Sequence, residues 1–174
     1  MLKSMKAVFF LIAITLILLT QSCLDSTVPE LRTEETELQE IDFAIQKLET
    51  AGYDVDTTES GLYYVIQTQG TGPFPIEGDT CYVEYATYTI DGSLLDTSTD
   101  PSYNFPDGIW EMEYLESGTI AGFYEGLGMM NKGMEADFII PSKLAYGEYG
   151  TNGIPEYTPL VFSLKLHDLK PKAE

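Results

Sequence analysis

From Gly61 onward the chain alternates apolar and polar residues with a period of two, and one short helical run interrupts it. Leu62-Tyr63-Tyr64-Val65-Ile66 reads as a strand and stops at Gly70-Thr71-Gly72-Pro73. Cys81, Val83 and Tyr85 alternate with Tyr82, Glu84 and Ala86, which sends one set inward. Asp91-Gly92 is a hairpin signal. Trp110, Met112 and Tyr114 alternate again, and residues 136–140 read as a further strand. In the last strand, residues 160–169, Leu160, Phe162, Leu164 and Leu166 share one face. His167, the lone histidine, falls on the wet face and reads as a surface residue rather than a base or ligand. Residues 120–130 form the single helix inside this region, stopped by Asn131-Lys132-Gly133. Antiparallel strands with one inserted helix predict an α+β domain whose curved sheet wraps that helix.

The preceding residues divide into three parts. Lys3 and Lys6 lead into an apolar run over residues 7–19. That run is shorter than the roughly 20 residues of a membrane-spanning helix, so residues 1–22 are expected to be a signal peptide. Its end, Leu19-Thr20-Gln21-Ser22-Cys23, resembles a bacterial lipoprotein processing box, with Cys23 as the lipidated first residue of the mature chain. Residues 23–32 read as a tether and residues 33–57 as a helical extension, leaving 58–170 for the folded domain. In the extension, Thr36 with Gln39 makes a capping box. Leu38, Ile41, Ile45 and Leu48 form its apolar stripe, and Ala51-Gly52 ends it. A stripe of two heptads is short for a coiled coil. Packing on the same chain is therefore expected, with a helix-mediated dimer as the alternative to a monomer.

Charge narrows the function. All 28 acidic residues follow Cys23 against seven Lys and Arg, a net charge near −21 for the mature chain. A phosphate backbone would be repelled, so nucleic acid is excluded as a partner. The Gly70-Thr71-Gly72 run is a turn and not a phosphate cradle, because Pro73 follows and no Lys is placed to hold a phosphate. With Cys23 lipidated, Cys81 has no disulfide partner and reads as a small buried apolar residue. No metal and no cofactor is expected.

Several short motifs recur in a familiar order. Ser60-Gly61-Leu62-Tyr63-Tyr64 is followed by Gly78-Asp79-Thr80, by Val83 and Tyr85, by Asp91-Gly92, and by Asp96 with Ser98. Then come Gly122-Phe123, Glu125-Gly126-Leu127, Met130 and Gly133. The series closes on Leu144-Ala145-Tyr146-Gly147, Gly153-Ile154-Pro155 and Leu160-Val161-Phe162. Over about 110 residues, this order and spacing resembles the FK506-binding-protein (FKBP) family of peptidyl-prolyl isomerases, in the bacterial form with an N-terminal helical extension.

The resemblance implies an FKBP-like sheet around one helix and a shallow apolar cup for a prolyl ring. Phe123 would be its floor, where the family most often has Trp. Tyr85, Ile120, Tyr146 and Phe162 would be its walls, with Ile154 entering from the loop before the last strand. Asp96 is similar to the family's acidic residue beside the cup. Leu95 replaces a usual Phe, and Trp110 stands where another Phe is common. Residues 97–109 are about five longer than in minimal members, which offers Phe105 as an alternative lip. Tyr85, Asp96 and Tyr146 are thus the expected catalytic set, and Leu95, Trp110, Ile120, Phe123, Ile154 and Phe162 the expected substrate contacts. Glu156 stands where a second proline is frequent and puts a charge near the rim. The partners implied are proline-containing polypeptide segments, with attachment to a membrane through lipid on Cys23. The expected function is a prolyl isomerase that assists folding in the bacterial envelope, at the outer membrane facing the periplasm, with the cell surface as the alternative. Two rivals are a weakly active proline-peptide-binding chaperone and an accessory lipoprotein of an envelope machine such as gliding motility.

Overall fold

The computed structural model describes residues 31–172. The leader, Cys23 and the tether as far as residue 30 lie outside the described residues. No helix among the described residues is long and apolar enough to cross a membrane.

Seven strands form one antiparallel sheet: β1 (Asp56–Thr57), β2 (Tyr63–Thr68), β3 (Thr80–Thr89), β4 (Leu94–Thr97), β5 (Trp110–Glu113), β6 (Glu135–Ile140) and β7 (Leu160–Lys170). Their order is β1-β2-β6-β7-β3-β4, with β5 also paired to β3. Strand β5 pairs with Thr80 to Val83 and β4 with Ala86 to Tyr88, so the two lie end to end along one edge of β3. The long segment 98–109 leaves the sheet at this break. The expected hairpin turn is present, with Thr89 N–H donating to Ser93 O at 2.9 Å around Asp91-Gly92. In β7 the register against β3 slips by one residue at His167: Tyr82 faces Asp168 and Val83 faces Leu166. This bulge returns Leu169 to the inner face, where it packs on the core.

Helix α1 spans Glu34–Thr50 and α2 spans Ala121–Gly128. The shorter helix lies against the sheet because glycines face the strand beneath it. A methyl group on Gly122 would stand 2.3 Å from Ile140 Cγ2, and one on Gly126 would stand 3.1 Å from the Phe138 ring. Phe123 and Leu127, between and beside these glycines, enter a core with Val83, Phe138, Ile140 and Leu166. Two polar side chains at the margin of this core are well partnered. Asp79 is buried and accepts from Ile76 N–H at 3.1 Å and Lys172 N–H at 3.0 Å. Ser60 Oγ–H donates to Glu125 of α2, with 2.7 Å to Oε2, which ties the entry of β2 to the helix.

The extension differs from expectation in two details. Its N-cap is Thr33 and not Thr36: Thr33 is extended, with φ −132° and ψ 162°, and its side chain accepts from Thr36 N–H at 3.2 Å. Glu34, Glu35 and Glu37 in the first turn complement the helix dipole. The inward face is also rotated. Leu38 is 52% exposed, whereas Glu37 and Ile41 are buried. A carboxylate is tolerated there because Ser142 meets both of its oxygens, one with its N–H and the other with its hydroxyl at 2.6 Å. The helix therefore packs on its own domain, and the described residues from Arg32 onward hold together as one unit.

Candidate functional site

Strand β3 sends Tyr85 to the concave side, β5 sends Trp110, α2 sends Phe123 and β7 sends Phe162. Their rings meet in a chain. Tyr85 and Trp110 are edge to face at 5.8 Å between centroids, Trp110 and Phe123 are tilted at 6.1 Å, and Phe123 and Phe162 are edge to face at 5.5 Å. Such arrangements suit the ring quadrupoles and hold each ring in place. Phe123 is buried at 3% exposure, so it forms the base, while Tyr85, Trp110 and Phe162 remain half-buried around it. Ile120 caps α2 and packs on the same core.

Asp96 sits on the polar margin. Tyr85 Oη–H donates to its Oδ2 at 3.0 Å, and Thr97 N–H donates to its Oδ1 at 2.8 Å. A second phenol, Tyr103, donates to Oδ1 at 2.9 Å. Burial, then the hydrogen bond to Asp96 and its negative charge, push the Tyr85 phenol well above its ordinary range. The bond to Asp96 likewise raises Tyr103. Both phenols therefore remain protonated donors through the neutral range. The site holds a carboxylate, two phenols and an apolar basin. Among the described residues, no group of His, Cys, Asp and Glu is placed to hold a metal ion.

The segment 98–109 supplies Tyr103, which residue patterning missed, beside the Phe105 it offered. Tyr103 stacks on Phe105 at 5.3 Å, and Phe105 stacks on Trp110 at 6.2 Å, extending the aromatic run outward. Both Phe105 and Trp110 thus take part, rather than one in place of the other. Tight turns at Asn104 (φ 55°) and Asp107 (φ 56°) fold the segment back. These two residue types tolerate the left-handed region better than most. Two aromatics among Pro, Asn, Asp and Gly were the available signal.

The remaining expected residues are less engaged. Leu95 is the extra residue of a bulge, since Thr87 faces Asp96 and Tyr88 faces Leu94. It is 39% exposed and stands outside the core cluster. Tyr146 is also 39% exposed, and among the described residues its hydroxyl has no hydrogen-bond partner and its ring joins no aromatic pair. Ile154 is half-buried in a tight loop closed by paired bonds with Thr151 at 2.8 and 2.9 Å. A cavity of about 620 Å³ lies elsewhere, between α1 and the outer face of the sheet.

A curved antiparallel sheet over a short helix, with an aromatic cluster and a phenol-held acid at its margin, defines an α+β domain. A family model for FKBP-type peptidyl-prolyl cis-trans isomerase matches residues 72–167, and the chain belongs to that family. The chain is 37% identical to the FKBP-type peptidyl-prolyl cis-trans isomerase FkpA of Escherichia coli (strain K12) over 117 residues, 67% of this chain and 41% of that protein. It is 34% identical to a probable FKBP-type peptidyl-prolyl cis-trans isomerase of Haemophilus influenzae over 124 residues, 71% of this chain and 48% of that one. The chain thus spans less than half the length of either relative. The crystal structure of FkpA from Escherichia coli superposes with a TM-score of 0.66 at 32% identity, covering 80% of this chain and 61% of that one. A peptidyl-prolyl cis-trans isomerase structure from Pseudomonas syringae gives 0.64 at 27% identity, covering 80% and 98%.

Proposed function

We propose that this chain is a peptidyl-prolyl cis-trans isomerase acting on proline-containing segments, and that the basin of Tyr85, Trp110, Phe123 and Phe162 holds the prolyl ring. The observation that carries the reading is the aromatic chain running onto an acid held by two phenols. Family membership supports it independently.

Rotation about an X-Pro amide faces a barrier of about 18–20 kcal/mol from C–N resonance, and the uncatalysed step takes tens to hundreds of seconds. The planar amide is more dipolar than the twisted one, so an apolar basin that strips its water penalises the planar form more. A ring gripped by four aromatic faces can be bound best in the twisted geometry, which lowers the barrier rather than only KM. The free Tyr146 hydroxyl can donate to the substrate carbonyl. Asp96 fixes the Tyr85 phenol and brings a negative charge to the margin. No proton transfer or covalent step is needed. A reduction of the barrier by about 5 kcal/mol would accelerate exchange by roughly 10³–10⁴.

The apolar run, the Cys23 box and the acidic mature chain support placement in the bacterial envelope, held by lipid on Cys23 at the outer membrane and facing the periplasm. There it would assist the folding of envelope proteins. The test is cis/trans exchange of an Ala-Leu-Pro-Phe peptide by NMR with residues 24–174 and the Asp96→Ala and Tyr146→Phe variants. Acceleration well above buffer, reduced in either variant, is expected. A folded protein that leaves the exchange rate unchanged would leave a peptide-binding role in its place.

A further inference from the structure

The segment joining β6 to β7 runs for 19 residues, 141–159, without a strand of its own. That is long for an internal connection, and such segments need anchors if they carry a working side chain. This one carries Tyr146 and Ile154. It is held at both ends, once from the first turn of α1 and once from Arg32, two residues before that helix begins.

At the near end, Glu37 is 4% exposed and Ser142 is 4% exposed. Ser142 N–H donates to Glu37 Oε1, and Ser142 Oγ–H donates to Oε2 at 2.6 Å. Ser142 opens the 3-10 turn Ser142–Leu144, and Ala145 N–H closes back on Ser142 O at 2.8 Å, directly before Tyr146. At the far end, Arg32 Nη2 donates to Tyr157 O at 3.0 Å. The guanidinium is itself fixed by a two-pronged pair with Glu40, at 3.0 and 2.5 Å. Tyr157 has a φ of 48°, a region a bulky residue rarely occupies, so its conformation persists only where neighbours impose it. Tyr157 N–H donates to Gly147 O at 3.0 Å, which ties the far end of the segment to the residue that follows Tyr146. Between these holds the Tyr146 hydroxyl has no partner among the described residues, so no side-chain hydrogen bond of its own fixes where it points.

We propose that Glu37 and Arg32 are positioning residues of the cup. Through them α1 and the residues that lead into it clamp both ends of the 141–159 segment and set the place of Tyr146 and Ile154. The helical extension is then a working part of the site as well as the link towards the tether. The inference rests on the isomerase reading.

The test uses the full mature chain with Glu37→Gln, Ser142→Ala, Arg32→Ala and Arg32→Lys. Ser142→Ala removes half of the near hold without touching α1, which guards against a helix variant that simply fails to fold. Segment-resolved hydrogen exchange and the kinetics of NMR peptide exchange are read together. Amides of 142–157 should exchange about tenfold faster in Glu37→Gln and Arg32→Ala while β3 and β7 keep their protection. KM for the prolyl peptide should rise about threefold to tenfold with a smaller change in kcat, and Arg32→Lys should recover part of the loss. Unchanged protection of 142–157 in all variants, or looser protection with unchanged KM, overturns the clamp while leaving the isomerase reading in place. A wild-type chain that does not accelerate exchange overturns that reading and the clamp's role with it.

Discussion

Gly122→Ala tests whether the close seating of α2 is what builds the base of the cup. Two effects oppose each other. Within a helix, Ala is favoured over Gly by about 1 kcal/mol, and residue 122 is the second residue of α2, so propensity alone would stabilise the variant. Against this, the new methyl would lie 2.3 Å from Ile140 Cγ2, 3.2 Å from Cγ1 and 3.3 Å from Cβ. Carbon atoms rest at about 3.5–4.0 Å, so α2 and β6 must separate by about 1.2–1.7 Å. Ile140 is fully buried and has no free direction in which to turn. Overpacking of this kind costs about 1–3 kcal/mol, or more when the neighbour cannot move, so the clash outweighs the helix gain. A net loss of about 1–2 kcal/mol is expected, lowering Tm by about 3–8 °C at this chain length. The separation also lifts Phe123, the adjacent residue, so peptide affinity should fall as well. Urea unfolding and calorimetry measure the first effect, and peptide titration the second. Gly118→Ala is the control: its methyl would meet nothing within 4 Å, and it should stay within about 0.5 kcal/mol of the wild type. A Gly122→Ala protein as stable as the wild type, with unchanged peptide affinity, would refute the reasoning.

Two further predictions concern single groups. Tyr103→Phe keeps the stack on Phe105 but removes a donor to Asp96, and should lower kcat/KM for the peptide about threefold to fivefold, an exposed-site fraction of what a bond to a charged acceptor is worth. The same substitution in an Asp96→Asn background should add little, and an equal loss in both backgrounds would contradict the pairing. Burial, then the negative charge of Asp79, push the Cys81 thiol up to about 12 from an ordinary 9.0. The folded state therefore holds this proton more tightly than the unfolded one, and its contribution to stability is complete below pH 9 and lost as pH rises from about 9 towards 12. In residues 24–174, whose one cysteine is Cys81, thiol reagents at pH 8 should leave the folded protein unmodified, and Cys81→Ala should flatten the alkaline loss of stability seen by urea titration.

Much of the fold was legible because a half-buried strand writes a period of two directly into the sequence, as in Cys81, Val83 and Tyr85. The inserted helix was legible too, since its boundaries fall within two residues of expectation. Features that depend on distant residues were not. Glu37 looks like one more exposed acid until Ser142, 105 positions away, meets its carboxylate. Burying Glu37 rotates α1 and exposes Leu38, which periodicity alone had turned inward. The helix start was misplaced because Thr33 and Thr36 are both plausible caps, and only the extended backbone at Thr33 separates them. In the cup, Tyr85, Trp110, Phe123 and Phe162 do converge, whereas Leu95 lies in a bulge that no alternation reveals. Tyr103 reaches Asp96 through a turn-rich segment whose path is set by left-handed residues rather than by a repeating pattern.

Trp110 is the only tryptophan in the chain, and it stands between Tyr85, Phe105 and Phe123 in the basin. Its fluorescence is therefore a direct report of whether a prolyl ring enters there. Titrating residues 24–174 with Ala-Leu-Pro-Phe and with Ala-Leu-Ala-Phe is the most direct measurement. A saturable change with the proline peptide and none with the alanine peptide is expected. Accelerated prolyl exchange with no response from Trp110 would mean that the reaction takes place elsewhere on the molecule.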